Sequence, residues 1–143
     1  MNLQLVTLSG TKLDKPVYEV ILPTVDGEIS VFPDHESIVT LAKPGVIQVR
    51  NQKEDSDEYM EVIAISGGVI EINGDRVKVL VDEADHGEEI AESETQAALE
   101  RAIKMRDEAS DQVELEKASQ LIDKHNIRLK VADLQRHKRR KNI

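Results

Sequence analysis

The chain has 143 residues, 39% of them hydrophobic and 33% charged, with a formal net charge of −9, no cysteine and no tryptophan. That length suits one domain, or one small domain with an appendage. The missing cysteine excludes disulfides, thiolate nucleophiles and cysteine metal sites, and the longest apolar run is far short of the ~18 residues of a membrane span.

The only aromatic residues are Tyr18, Phe32 and Tyr59, so a core has to be built from Val, Ile and Leu. The opening "MNLQLVTLSG" lacks the basic start and apolar run of a secretory signal. From there to about residue 90 the chain reads as short strands between turn residues: Leu3–Ser9, Pro16–Pro23, Glu28–Phe32, Ser37–Ala42, Val46–Asn51, Tyr59–Ser66, Val69–Ile72 and Arg76–Asp82. The turns are marked by Asp26-Gly27, Lys43-Pro44-Gly45, Gly67-Gly68 and Asn73-Gly74-Asp75. Asn-Gly is a strong hairpin signal because both residues tolerate the positive φ of a type I′ turn. Eight strands with turns every 8–12 residues predict an antiparallel β sandwich or barrel over residues 1–86.

The texture then changes. No proline or glycine follows residue 90. "SETQAALERAIKMRDEA" predicts a helix capped by Ser93 with Gln96, its apolar face carrying Ala98, Ala102 and Met105 beside Leu99 and Ile103. A second capping box, Asp111 with Glu114, opens a longer helix with the stripe Leu115, Ala118, Ile122, Asn126, Leu129 and Ala132. Residues 87–143 are therefore expected to form an antiparallel helical hairpin. Both stripes are narrow and alanine-rich, which predicts a weakly held, mobile appendage. Charge is divided as well. Lys124 to Ile143 hold eight Lys or Arg and one acid, Asp133, so the tip carries +7 against −16 for residues 1–123.

Asp34-His35 could be chemistry or a shaped turn. A catalytic histidine needs a nucleophile or metal partner, and no Gly-x-Ser-x-Gly elbow surrounds Ser30, Ser37 or Thr40. Pro33 fixes φ and Asp34 tolerates a left-handed conformation, so the turn reading prevails. Ile29, Val31 and Phe32 make the stretch too apolar for ordinary surface, which points to a protein contact. "DEADHGEE" matches no calcium loop and reads as a solvated linker. The tail "RHKRRKNI" could bind phosphates, but the acidic body lacks a stacking platform. Basic residues in a helix's last turns also complement its dipole. No phosphate-binding loop or dinucleotide fingerprint occurs. The residues alone indicate a non-enzymatic, two-part interaction protein without metal or cofactor.

"DGEISVFPDHESIVTLAKPGVIQV", Asp26 to Val49, resembles the signature region of the epsilon subunits of F-type ATP synthases. That region runs Gly-Glu-Leu-Gly, an apolar pair, Pro-Gly-His, apolar residues, Leu-Lys-Pro-Gly and a strand. Gly27, Glu28, Pro33, His35, Lys43, Pro44 and Gly45 stand at the matching places. "ISGGVIEINGDRVKVLVDEA" is similar to the family's Ser-Gly-Gly and Val-Thr-Val-Leu-Ala-Asp pattern. Two positions depart: Ser30 replaces the second glycine of the first motif, and Asp34 the glycine of Pro-Gly-His. Asp34 is among the few residue types able to keep a positive φ there.

The resemblance implies a non-catalytic rotor subunit of a proton-translocating synthase, peripheral on the cytoplasmic face of a bacterial membrane and not inserted in it. Its partners would be the gamma subunit, the c-ring, and the alpha and beta subunits, with no nucleic acid. Gly27, Glu28, Ile29, Val31, Phe32, Pro33 and His35 would face the ring and shaft. The hairpin would be a brake on ATP hydrolysis, with Arg128, Lys130, Arg136, Lys138, Arg139 and Arg140 facing the beta subunits. Some members bind ATP through an Ile/Leu-Asp-x-x-Arg-Ala motif. The matching positions here are Ile90, Ala91, Glu94 and Thr95, so neither the aspartate nor the arginine is present and no ATP sensing by that route is expected. The rival reading is a soluble two-part adaptor whose basic tail binds RNA or acidic proteins.

Overall fold

The computed structural model describes residues 1–141, with side chains through Lys138. Ten strands come first: β1 (Asn2–Thr7), β2 (Gly10–Pro16), β3 (Glu19–Thr24), β4 (Gly27–Val31), β5 (His35–Ala42), β6 (Gly45–Arg50), β7 (Glu61–Ile65), β8 (Gly68–Gly74), β9 (Arg76–Val81) and β10 (Ala84–His86). Two helices follow, α1 (Glu92–Asp107) and α2 (Gln112–Lys141). All strand pairs are antiparallel except β1 with β9.

The strand order is β10-β7-β6-β3-β5-β8-β9-β1-β2, with β4 attached to β3. A single pair, Thr24 with Ala42, joins β3 to β5. That seam lets the sheet fold into two layers. The two free edges then face each other. Lys15 of β2 is ion-paired with Glu61 of β7, and Lys12 lies 3.6 Å from Glu89. Between the layers lies an aliphatic core: Leu3 and Leu5 of β1, Val20 and Leu22 of β3, Ile47 and Val49 of β6, Ile70 and Ile72 of β8, Val77 and Val79 of β9. The alternation of these residues with outward-facing ones is the period-2 signature of strands. A closed aliphatic core of this kind needs no aromatic side chain.

The structure corrects the sequence reading in several places. The first predicted strand is β1, but it ends at Thr7 and turns through Leu8-Ser9 into an unpredicted partner, β2, with Thr7 paired to Gly10. Thr7 Oγ1 donates to the Gly10 carbonyl at 3.2 Å and accepts from Ser9 N at 3.2 Å. Gly10 takes φ 119°. The following turn repeats the construction, with Thr24 Oγ1 donating to Gly27 O at 2.6 Å and Gly27 at φ 115°. The Asn-Gly turn is shifted by one residue. Asn73 pairs with Arg76, and of the two loop residues Gly74-Asp75 only Gly74 has positive φ, which is the φ pattern of a type II′ turn. Residues 82–89 are no solvated linker: Ala84–His86 form β10 on β7, and Ala84 and Gly87 are buried. Tyr59 ends a short 3-10 turn, and β7 starts at Glu61.

The helices differ from expectation at their starts and faces. Ser93 lies inside α1, whose N-cap is Ala91 and makes no side-chain bond. Asp111 does cap α2: its Oδ1 accepts from Glu114 N at 2.8 Å, while the Glu114 carboxylate reaches Ser110 N at 3.0 Å. Leu115 and Asn126 are exposed, and the residue fully buried against the sandwich is Val131. The arm is docked on the sandwich. Val131, Ile127 and Leu134 pack on Val62, Ala64, Val46 and Ile90. That contact explains why β7 is buried on both faces: Ile63 and Ile65 enter the core, Val62 and Ala64 meet α2.

Candidate functional site

Three surface features stand out: the turn between β4 and β5, the seat of α2, and an uncovered strip on the opposite layer. In the turn, Asp34 takes φ 65° and is the sole non-glycine residue with positive φ among the described residues. Its left-handed conformation reverses the chain so that Phe32 and Pro33 project at a corner. Phe32 is exposed but braced edge-to-face on Tyr18, with ring centroids 5.7 Å apart. His35 Nδ1–H donates to the Glu36 carbonyl at 2.7 Å, which ties the ring to its own backbone and to no nucleophile. Gly27, Glu28, Phe32 and Pro33 are exposed, and Ile29 and His35 are half-buried. Val31 is fully buried in the core, so it packs the corner from beneath instead of presenting a contact surface.

The basic residues of α2 fall into distinct settings. Arg128 Nη1 reaches Asp85 Oδ2 at 2.5 Å, partly buried. Arg136 Nη1 donates to both oxygens of Glu92 at 2.8 Å, and its Nη2 pairs with Asp133. Lys138 Nζ donates to the Asp57 carbonyl at 2.9 Å. Lys130 is exposed. The side chains of Arg139 and Arg140 lie outside the described residues. The loop under the end of α2 is held by Arg50, whose guanidinium bonds Glu19 at 2.9 Å, Asp57 at 2.5 Å and the Asp55 carbonyl at 2.6 Å. The bonded guanidinium holds Asp57 below the usual carboxylate range.

A polar hub closes the base of the arm. Glu61 accepts from Lys15, from Asn51 at 2.8 Å, and from His86 Nε2 at 3.0 Å. Burial pushes the Glu61 carboxyl up, and those three donors together outweigh it and hold it below its ordinary value. His86 Nδ1 in turn accepts from Glu88 N at 3.2 Å and caps the 3-10 turn leading to α1.

The third feature was not anticipated. On the outer face of the second layer, Leu41 pairs with Val69, Val69 with Leu80, and Leu80 with Val6. Four aliphatic side chains thus form one row across β5, β8, β9 and β1. Val39, 75% exposed, and Leu41, 55% exposed, widen it at β5. α2 packs on β6 and β7 of the other layer, so the row stays open. A signal for it exists in "RVKVLVD": Leu80 breaks the alternation of Val77, Val79 and Val81 and puts an apolar residue on the second face.

These features were compared with known proteins. Residues 1–87 match the family model "ATP synthase, Delta/Epsilon chain, beta-sandwich domain". An ATP synthase epsilon chain of Herpetosiphon aurantiacus is 34% identical over 140 residues, covering 96% of this chain and 98% of that one. The chain belongs to the ATP synthase epsilon family. An epsilon chain of Neisseria meningitidis is 32% identical over 121 residues, covering 84% of each chain. Among solved structures, a chain of the Euglena gracilis mitochondrial ATP synthase, in a structure of its OSCP, F1 and c-ring, superposes with TM-score 0.76 at 25% identity. The match covers 91% of this chain and 79% of that one. A Tetrahymena thermophila mitochondrial ATP synthase chain, from a central stalk and c-ring structure, shares the fold with TM-score 0.59 at 15% identity over 94% and 96% of the two chains.

Within this epsilon-family fold, the positions of the ATP-binding motif lie where β10 passes into α1. Ala91 is exposed, and its carbonyl accepts from the Thr95 hydroxyl at 2.8 Å. Glu94 is exposed in the first turn of α1, where its charge suits the helix N-terminus and opposes a phosphate. Among the described residues, no group of three His, Asp or Glu side chains is arranged to hold a metal ion, and no helix is long and apolar enough to cross a membrane.

Proposed function

We propose that this epsilon-family chain is a non-catalytic rotor subunit that fastens the central shaft of an ATP synthase to its membrane ring. The observation that carries the reading is the near full-length match to epsilon chains together with two exposed faces on one rigid sandwich. The corner at Gly27, Glu28, Phe32, Pro33 and His35, backed by Ile29, is a compact knob suited to a ring of subunit loops. The open row of Leu41, Val69, Leu80 and Val6 is suited to an apolar face of the shaft. Uncovered aliphatic rows of this kind mark protein contacts. The assembly works peripherally on the cytoplasmic face of a bacterial membrane, with the alpha and beta subunits above the shaft. The helical arm acts as a brake on ATP hydrolysis when it leaves the sandwich and turns its cations toward the beta subunits.

Charging the row tests the anchoring. In Leu41→Glu with Leu80→Glu, both substitutions lie on the open outer face two strands apart, so the isolated chain keeps its β circular dichroism. Copurification with the shaft subunit falls at least about tenfold, the loss expected when charges are buried unpaired in an interface. Undiminished copurification would remove this face from the proposal.

A further inference from the structure

The sequence "DEAD" at residues 82–85 crosses the sheet edge as β10 begins. Ala84 is buried toward the core and pairs with Ile65. Alternation therefore turns Glu83 and Asp85 to the opposite face, the one beneath α2. There Lys124 Nζ lies 2.6 Å from Glu83 and Arg128 Nη1 2.5 Å from Asp85. The two cations are one turn apart on the same helix face. Lys138 on the Asp57 carbonyl adds a contact with the sandwich near the helix end, while Arg136 on Glu92 ties α2 to the start of α1 within the arm. The apolar contact under this clasp is small, with three fully or nearly buried residues, Val62, Ala64 and Val131, at its centre.

We propose that Glu83 and Asp85 are an ionic latch: the sandwich supplies its own acidic partner to the arm and keeps the cations of α2 occupied until an acidic protein surface takes them over. The docked arm is thus self-masked. An outside partner must compete with carboxylates already at bonding distance, and the competition is with like chemistry. Because the pairs are only partly buried, with Arg128 and Asp85 the least exposed, salt screens them. The consequence for braking rests on the proposed function; the latch itself does not.

The chain has no cysteine, so spin labels can be placed cleanly on the full-length protein at Gln52→Cys and Val113→Cys, both exposed. The parent gives one narrow label-to-label distance at low salt. Glu83→Gln with Asp85→Asn broadens it and raises the undocked fraction about three- to tenfold, the scale for two partly exposed ion pairs. Salt at about 1 M, where the Debye length is about 3 Å, broadens the parent in the same way. Asp85→Arg alone opens the arm, and adding Arg128→Asp closes it again, a rescue that general misfolding would not give. A narrow distance that survives the double amide variant, or fails to return in the swapped pair, overturns the latch. Hydrolysis by the assembled complex is read separately. Labels that open without any fall in hydrolysis leave the latch standing and sink the brake.

Discussion

A single methyl group at residue 68 would meet backbone. A Cβ built on Gly68 lies 1.9 Å from the carbonyl oxygen of Leu80, because β8 and β9 approach closely where Gly68 pairs with Val81. No side-chain rotation relieves such a clash. Gly68→Ala is therefore expected to cost about 2 kcal/mol or more and to lower the thermal midpoint by roughly 5–10 °C. Differential scanning calorimetry checks it, and an unchanged midpoint would mean that the two strands separate without cost. Asp34 answers a different backbone demand. Its φ of 65° is one that Asp adopts at modest cost and a β-branched residue does not. That is how the corner keeps its shape with aspartate where the family's pattern has glycine.

At the scale of elements, α2 carries a titratable weak point. His125 faces Lys124 and Arg128 of its own helix, Arg101 of α1 and Glu83 of the sandwich. Its Nδ1 is buried without a hydrogen-bond partner. Burial and then the three cations lower its pKa from the ordinary 6.5, with Glu83 opposing them. The folded arm thus prefers the neutral ring. Above pH 6.5 the ring is neutral whether the arm is folded or unfolded, and its stability is unaffected. Below it the unfolded arm binds a proton that the folded arm resists, so the arm's folding weakens as pH falls from about 7 to about 5. Proteolysis of the arm at pH 5.5 and 7.5 measures this. Cleavage should be faster at the lower pH in the parent, and His125→Gln should flatten the difference.

The elements also mark what could be read in advance and what could not. The aliphatic core, the sandwich and the two helices followed from strand alternation, turn residues and the abrupt loss of Gly and Pro after residue 90. β2 escaped because "GTKLDKP" is polar and lies at a free edge, where only Leu13 touches the core. β10 escaped because "ADH" has no alternation long enough to register. Ser93 looked like a cap, yet chain entry from β10 through the His86-capped turn starts α1 two residues earlier, with Ala91 at the N-cap. Ala118 and Ala132 of the expected α2 stripe are buried and Ile122 and Leu129 half-buried, whereas the second face at Val131 escaped because it is set by Val62 and Ala64 on a distant strand. Phe32 and Pro33 were found as an exposed corner, whereas Val31 beside them is core. The Leu41–Val6 row needed four strands in register, information that no single segment contains.

For the whole molecule, the division of charge is the organising fact. The acidic body and basic tip attract each other in the docked form, and the same division makes the arm transferable to another acidic surface. Deleting residues 110–143 leaves every strand with its partners intact, so the sandwich should still fold. It bares Val62, Ala64 and Ile90, which will lower solubility. In the assembled complex the deletion is expected to raise ATP hydrolysis several-fold, the size of a typical coupling free energy of 1–3 kcal/mol. A steady-state hydrolysis assay decides it, and an unchanged rate would mean that the arm is no brake.

Tyr18 meets Phe32 edge-to-face at the corner, and Tyr59 stands in the short turn that meets the end of α2. With no tryptophan to outshine them, these two phenols are the chain's natural optical reporters, one beside the corner and one beneath the end of α2. Under the proposed function, seating of the corner perturbs the first and departure of the arm the second. Replacing either with phenylalanine silences one channel, so the unlabelled protein can announce both events in the ultraviolet, separately and in real time.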